Sequence, residues 1–307
     1  MRYKTLETRF LGTNIKIRIL HENPESILNN CEMLLTSYHN RFSFYNPDSE
    51  LSKINQNAGI GPVEVKKDLF HLIELGKKHS TEDSNLNICI GPVVKLWDIG
   101  FDTAKVPNYD KIFATLKYSN PDNLMLYDSS IYLSKKEMKI DLGAISKGFI
   151  ADKILEYLKS ENIISAIVNL GGNILTHGFN LESPNLNWRI GIQDPGKPRG
   201  NHLLNLEIND MSIVTSGVYE RYFSEDNKIF HHIIDPRTGY PVDTDMLSLT
   251  IITEKSIDGD IWSSKLFGKS FEEIDEKSSV HGFEAILIFK GNIVKQTKGC
   301  KKYMVVK

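Results

Sequence analysis

The sequence predicts an α+β fold, because long helical segments are interspersed with many short strands along its 307 residues. The helices are predicted from apolar residues at three- and four-residue spacing. The strands are predicted from short β-branched runs bounded by turn residues. No repeat, low-complexity tract or linker interrupts this pattern. We therefore predict a single domain over residues 1–307, with two closely packed subdomains as the alternative.

The elements follow in order from the two periodicities. A strand–turn–strand unit is predicted over residues 4–20 with its turn at Gly12-Thr13-Asn14, and a short helix is predicted after the turn at residues 46–49. Segment 85–100, which contains Gly91-Pro92, is predicted to be loop-rich. Helices are predicted at 24–38, 66–78, 110–117, 149–159 and 256–267, and further strands at 124–133, 138–142, 163–168, 188–193, 203–208, 212–216, 229–234, 247–253 and 284–289.

Composition excludes several classes of protein. Hydrophobic residues make up 40% and charged residues 25%, which is typical of globular proteins, and the net charge of −2 argues against a nucleic-acid partner. Three widely spaced cysteines, Cys31, Cys89 and Cys300, predict neither a disulfide framework nor a zinc site. Residues 1–7 have no apolar signal region, and no apolar run is long enough to span a membrane, so we expect a cytoplasmic protein without a membrane segment.

Two glycine-containing segments follow predicted strands. Asp141–Gly148 leads into a helix, whose free N–H groups and dipole would favour a phosphate, with Lys147 as an added charge. A tight structural turn with a solvated lysine explains the same pattern equally well. Asn169–Asn173 contains Gly171-Gly172, which indicates either close approach to a ligand or, more commonly, a sharp turn with positive φ.

The densest polar segment is His231–Gly239. In it, His232 and Asp235 could form a general base and its orienting partner, and Arg237 could bind a phosphate or carboxylate with two hydrogen bonds. A polar hairpin in which Asp235 caps the turn is an equally good interpretation. His231 points to the other side of the predicted strand and is expected to be exposed.

A further pair of oxygen donors lies on the last predicted helix, residues 256–267. The two residues are one helical turn apart. Asp260 and Ser264 are four residues apart and therefore share one helix face. A carboxylate, a hydroxyl and a nearby carbonyl are ligands that Mg²⁺ prefers. An ordinary solvated helix face is the commoner explanation of a single such pair.

Taken together, seven segments in this order make the chain similar to the ApbE family of FAD:protein FMN transferases. The resemblance runs from about Phe10 to beyond Phe267, and the combination of DLGAISKG with HIIDPRTG is the most specific part of it. The segments are Tyr45–Ser52, Gly91–Trp97, Asp141–Gly148, Asn169–Asn173, Thr215–Tyr222, His232–Gly239 and Asp260–Ser264.

The resemblance implies a T-fold-like body with mixed and antiparallel sheets, bound FAD as substrate, and Mg²⁺ on its pyrophosphate. It implies transfer of FMN to a serine or threonine hydroxyl of an acceptor protein, with release of AMP. His232 matches the catalytic histidine, and we expect Asp235 to support it. By the same resemblance, the metal ligands are Ala144 through its carbonyl, Asp260 and Ser264, and the flavin-nucleotide contacts are Leu11, Tyr45, Asn85, Leu86, Asn87, Asp141, Lys147 and Ile234.

The chain departs from the family pattern at a few of these positions. Ser264 stands where threonine is usual, Asn87 where an acid is common, and Leu11 where a methionine often contacts the nucleotide. Two other functions use the same residues. An FAD pyrophosphatase would use water in place of the acceptor hydroxyl, and a flavin-binding protein would leave FAD intact.

Overall fold

The computed structural model describes residues 1–10 and 12–305. Eight α-helices lie within these ranges, and three short 3₁₀ turns occur at Pro121–Asn123, Lys290–Asn292 and Lys298–Lys302. The helices are α1 (Pro24–Phe42), α2 (Glu50–Gln56), α3 (Lys67–His79), α4 (Gly91–Trp97), α5 (Tyr109–Leu116), α6 (Ser146–Ser160), α7 (Ser256–Leu266) and α8 (Phe271–His281).

Fifteen strands are found in the same part of the chain. They are β1 (Arg2–Phe10), β2 (Thr13–His21), β3 (Val63–Glu64), β4 (Leu124–Tyr127), β5 (Ser130–Leu133), β6 (Ala166–Leu170), β7 (Asn173–His177), β8 (Trp188–Gln193), β9 (His202–Ile208), β10 (Ser212–Gly217), β11 (Tyr222–Glu225), β12 (Lys228–His231), β13 (Met246–Thr253), β14 (Glu284–Phe289) and β15 (Ile293–Gln296).

Eight of these strands form one sheet in the order β1-β2-β6-β7-β10-β13-β14-β15. Every neighbouring pair in this sheet is antiparallel. The remaining strands form a three-stranded sheet, β3-β5-β4, and two hairpins, β8-β9 and β11-β12. The predicted α+β class is therefore confirmed, and the predicted mixture of helices with antiparallel sheets is observed.

The large sheet is covered on both faces. Helices α1 and α6 pack with β2 and β6 in a large apolar cluster, whereas hairpin β8-β9 contributes to a second cluster with residues of β10, β13 and β14. Seven of the eight residues of β13 are buried, so this central strand shows no alternation of apolar and polar residues. The sheet thus provides a rigid frame, and the chain leaves it at the end of β10 to form hairpin β11-β12.

Most predicted elements are confirmed within a few residues at their ends. The prediction for segment 85–100 is partly wrong, because α4 begins at Gly91; Pro92 fits the first helical turn, where its missing N–H is not needed. The predicted strand at 138–142 is wrong, since the described residues there form only an isolated bridge between Lys139 and Ile90. Helix α8 was not predicted.

The turn between β6 and β7 follows the structural interpretation of its sequence. Gly171 and Gly172 have φ values of +66° and +105°, a region that favours glycine. The side chain of Asn169 accepts a hydrogen bond from the Gly172 N–H. The organisation of residues 1–307 as a single domain stays a prediction.

Within residues 1–10 and 12–305, no helix has the length and apolar character required to cross a membrane.

Candidate functional site

The segment from Asp141 into α6 meets α7 at very close range. The Asp260 side chain is buried, and its Oδ2 accepts a hydrogen bond from the backbone N–H of Gly148 at 2.5 Å. Its Oδ1 accepts one from Nδ2 of Asn173 at 2.8 Å. A Cβ at position 148 would lie 2.4 Å from the backbone oxygen of Ser256, so only glycine permits this approach.

The charge on Asp260 is only partly compensated by its surroundings. Burial raises the pKa of the Asp260 carboxyl above its usual value, while the positive charge of Lys147 and the two hydrogen bonds act in the opposite direction. Lys147 stands in the first turn of α6, where the helix dipole also favours an anion. A partly compensated carboxylate therefore lies beside a lysine at a helix N-terminus.

Oxygen donors for a hard cation are present near this carboxylate. Ser264 lies one turn after Asp260 on α7, and its hydroxyl donates to the backbone carbonyl of Ala144 at 3.4 Å. The structure thus brings together the carbonyl and hydroxyl that were predicted as metal ligands. Within residues 1–10 and 12–305, no group of three or more His, Cys, Asp or Glu side chains is arranged to hold a metal. A cation here would depend on oxygen donors of mixed types.

His232 follows β12 and is held by one carbonyl group. Its backbone N–H donates to the Arg221 carbonyl at 3.1 Å, and its ring Nδ1 lies 3.2 Å from the same oxygen. Because a carbonyl only accepts, Nδ1 carries the proton and Nε2 keeps its lone pair. Burial, together with the positive charge of Arg221, lowers the pKa of His232 to about 3. The imidazole is therefore neutral near pH 7 and can act as a base.

The expectation that Asp235 orients His232 is wrong. The two Asp235 oxygens accept hydrogen bonds from Arg237, with Nε–Oδ1 and Nη2–Oδ2 distances of 2.8 and 2.9 Å. The Arg237 backbone N–H also donates to Asp235. Arg237, two residues along the chain, reaches the carboxylate within the same turn, so Asp235 stabilises this turn instead of the histidine.

The expectation that His231 is exposed is also wrong. The residue does point away from His232, but the side it faces is covered, and only 7% of it is accessible. Its Nε2 lies 3.0 Å from the Val242 carbonyl, and its ring packs edge-on against Phe267. His231 therefore has a structural position, which leaves His232 as the accessible imidazole.

The segment 85–87 is tied into the protein through its side chains. Asn85 donates to the Phe267 carbonyl and accepts from Arg237, each at 2.6 Å. Asn87 donates to the Ser119 carbonyl, and Leu86 lies in the apolar core. These side chains are thus already occupied, so this segment would contact a nucleotide through its backbone. A cavity of about 440 Å³ lies beside Asn85 and the Asp235–Thr238 turn.

Two of the predicted flavin contacts, Tyr45 and Asp141, lie close enough to Arg221 for its charge to act on them. Tyr45 is 44% exposed, and its ring centre lies 4.5 Å from that of Phe101. Asp141 accepts a hydrogen bond from the Gly143 N–H at 2.6 Å, and burial raises its pKa, an effect that the Arg221 and Lys147 charges oppose. The Arg221 charge also lowers the pKa of Tyr45, although burial and two nearby carboxylates raise it overall.

The remaining predicted flavin contacts are Ile234 and Leu11. Ile234 is buried in an apolar cluster with Trp97 and pairs through its backbone with Pro241, so its side chain is part of the core. Trp97 donates from its indole N–H to the Gly239 carbonyl at 2.7 Å and thereby holds the far end of the same turn. The predicted nucleotide contact at Leu11 lies outside the described residues.

Two residues of this region were not predicted to have a role. Asp152 on α6 accepts hydrogen bonds from the backbone N–H groups of Ser256 and Ile257, at 2.8 and 2.9 Å, and so caps the N-terminus of α7. Arg221 lies within a segment that was recognised, but nothing in the spacing linked it to His232. Both interactions join residues that are distant in sequence, so no local pattern reveals them.

Solved structures of other proteins have the same architecture. A crystal structure of the ApbE protein of Thermotoga maritima superimposes with a TM-score of 0.90 at 27% identity, covering 99% of this chain and all of the other. The fold is also that of the flavin transferase ApbE of Vibrio cholerae, with a TM-score of 0.85 at 24% identity over 99% of both chains.

Curated relatives agree with the structural similarity. A protein of Klebsiella pneumoniae is 39% identical over 266 residues, which cover 86% of this chain and 81% of the relative. A protein of Treponema pallidum is 33% identical over 308 residues, covering 94% and 85%. Both relatives are named FAD:protein FMN transferase.

The fold and these similarities define the protein as an enzyme of the transferase class. Residues 11–287 match the sequence model of one family within that class. The chain belongs to the ApbE family.

Proposed function

We propose that the protein is a magnesium-dependent transferase that moves FMN from FAD to a serine or threonine hydroxyl of an acceptor protein and releases AMP. The observation that carries the proposal is the neutral His232 imidazole, whose Nδ1 is held by the Arg221 carbonyl and whose Nε2 is left free. The names of the relatives supply the donor and the transferred group. The family supplies the expectation of a hydroxyl acceptor.

The protein's own residues account for the proton. As the acceptor hydroxyl oxygen attacks the phosphorus of the FMN half, His232 Nε2 takes the hydroxyl proton. The bond between that phosphorus and the bridging oxygen breaks, and the bridging oxygen leaves with AMP. Lys147 offsets negative charge on the diphosphate. His232 is neutral before the step and cationic after it, so the low pKa also favours return of the proton.

The residues at the start of α6 and on α7 fit a magnesium ion. Ala144 is exposed and Ser264 is partly exposed, while Asp260 supplies a buried carboxylate. We propose these three as the protein's ligands, with phosphate and water oxygens completing the set. When bound, the ion would neutralise charge on the diphosphate.

Binding of the flavin nucleotide is proposed for the residues that border this region. Tyr45, Asp141 and Lys147 would contact it through side chains, and segment 85–87 and Ile234 through backbone groups.

The test measures transfer by mass. The protein is incubated with FAD, Mg²⁺ and an acceptor domain carrying a Ser/Thr-Gly-Ala-Thr/Ser segment, and the acceptor's intact mass is followed over time. We expect an FMN adduct in which His232→Ala slows formation by about 10²–10⁴-fold, the range for one positioned base. His71→Ala, at an exposed histidine on α3, is the matched control and should leave the rate unchanged.

Each other outcome has a definite meaning. FMN and AMP without an adduct would identify an FAD pyrophosphatase, in which water replaces the hydroxyl. FAD that binds and stays intact would identify a flavin-binding protein. Transfer that is unaffected by EDTA and by Asp260→Asn would contradict the proposed metal dependence.

A further inference from the structure

We propose that Arg221 is a substrate-binding residue: its guanidinium binds the diphosphate of the dinucleotide while its backbone carbonyl fixes the His232 ring. This inference deepens the proposed function and rests on it for the identity of the dinucleotide. Arg221 would thereby couple the position of the anion to the position of the base.

The backbone half of this role is visible in the hydrogen bonds. The Arg221 carbonyl accepts from the His232 backbone N–H and contacts Nδ1 of the ring, at 3.1 and 3.2 Å. Two contacts from one residue fix both the chain and the ring relative to Arg221. The two residues lie on either side of hairpin β11-β12, at its start and end. The side chain of Arg221 therefore begins at a fixed distance from the base.

The side chain is directed by two glycines from separate loops. A Cβ at Gly12, in the β1–β2 turn, would lie 3.3 Å from Nη2 of Arg221. A Cβ at Gly100, in the loop after α4, would lie 3.1 Å from its Cδ. Both glycines have positive φ, at +72° and +97°, so each loop presents bare backbone to the arginine. The Arg221 side chain is thus packed against backbone at both Cδ and Nη2, which fixes its position at the surface.

The guanidinium has no carboxylate partner among residues 1–10 and 12–305. In the part of the chain that the structure describes, no acid lies within 4 Å of Arg221, whereas Arg41 and Arg237 each donate more than one hydrogen bond to carboxylates. Arg221 is also exposed. An arginine held in place without an acid retains all its capacity for an incoming anion.

The electrostatic environment points the same way. The charges of Arg221 and Lys147 both act on Asp141 and on His232, so the two cations lie on the same region of the protein. Their combined field favours an anion with more than one charge, and a diphosphate has two charged phosphoryl groups. A neutral flavin ring gains nothing from this field, which makes the proposal specific to the diphosphate.

The experiment compares ligands with and without phosphate. Dissociation constants for FAD and riboflavin are measured by flavin fluorescence, and that for inorganic pyrophosphate by calorimetry, in wild type, Arg221→Gln, Arg221→Lys and Arg199→Gln. Arg199 is an exposed arginine paired with Glu220, so its variant removes the same charge at another place. For Arg221→Gln we expect FAD and pyrophosphate to bind about 10- to 100-fold more weakly, as for a lost charge-assisted contact, with riboflavin unchanged. Arg221→Lys should be intermediate, because it keeps the charge but not the fork.

The outcomes separate the two proposals. Equal loss of FAD and riboflavin affinity, or no loss of FAD affinity, would overturn the role of Arg221 even if the wild type transfers FMN. If Arg221→Gln lowers the melting temperature, the affinity of Arg221→Lys for FAD is the deciding measurement. Wild-type affinity for FAD in Arg221→Lys would overturn the proposed binding role of the Arg221 guanidinium. Wild-type protein that binds FAD without transferring FMN would overturn the proposed function and leave the binding test of Arg221 intact. Wild-type protein that binds neither FAD nor pyrophosphate would overturn both.

Discussion

Removal of the Asp152 carboxylate is expected to loosen the end of α7 that carries Asp260. Asp152 accepts from two backbone N–H groups of α7, at 2.8 and 2.9 Å, and the residue before the helix, Lys255, provides no side-chain cap. Asp152→Ala leaves both N–H groups without this partner, at about 1–2 kcal/mol each, or about 2–4 kcal/mol in total. At about 2 °C per kcal/mol for a chain of this size, the melting temperature should fall by about 4–8 °C.

The matched control is Asp258→Ala. Asp258 carries the same charge in the first turn of the same helix but is exposed and is found in no hydrogen bond with the described residues. Its removal costs its interaction with the helix dipole, under about 1 kcal/mol, and also removes its repulsion of the Asp152 carboxylate, which acts in the stabilising direction. Calorimetry or circular dichroism measures both melting temperatures. A melting temperature of Asp152→Ala equal to that of Asp258→Ala would refute the capping role.

The pH dependence of the free energy of unfolding gives a second, independent test of the Asp152 carboxyl. Burial raises the pKa of Asp152 to about 6 from an ordinary 3.8, despite the two hydrogen bonds. A raised carboxyl pKa stabilises the folded state fully below the unfolded pKa, and this contribution is lost as pH rises through about 6. Between pH 5 and pH 7.5 the loss amounts to about 1.4 kcal/mol. The stability advantage of wild type over Asp152→Asn should therefore be larger at pH 5; an advantage that grows toward pH 7.5 would show that the sign is wrong.

Three further outcomes follow from single contacts. Gly148→Ala should reduce the free energy of unfolding by more than about 1–3 kcal/mol in denaturant titration, because its Cβ would meet the Ser256 oxygen at 2.4 Å; unchanged stability would mean that the helices can separate freely. The pH profile of kcat/KM should show no falling limb from His232 between pH 8 and pH 5, because its pKa lies near 3; a limb near pH 6.5 that is absent in His232→Ala would contradict this. Trp97→Phe should cost about 1–3 kcal/mol of stability by leaving the Gly239 carbonyl without its indole donor, and a melting temperature equal to that of wild type would argue against this anchor.

Periodicity predicted most of the fold because helices and strands here bury regular stripes of residues. In α1, the buried positions Ile27, Cys31, Leu35 and Tyr38 repeat at three- to four-residue spacing. The strand predicted at 138–142 failed for a different reason. Met138, Ile140 and Leu142 do alternate into the core, but a strand also requires a neighbour, and pairing partners are not encoded in the spacing of one segment.

The candidate site was predicted in its parts but not in its connections. Sequence adjacency made Asp235 the natural partner of His232, yet the shorter path within the turn joins Asp235 to Arg237. The actual support of His232 is a backbone carbonyl, which every residue has, so residue type gives no signal for it. The same holds for the α7 amides that Asp152 caps.

The supports of this site have a consequence for how the sequence can diverge. His232 is held by the main-chain oxygen of residue 221, and Asp260 by the main-chain N–H of residue 148. Main-chain groups persist through substitution wherever the backbone path is kept. Selection can therefore act on the side chains that meet ligands while positions around the base drift, whereas the contact to Asp260 persists only while position 148 stays glycine.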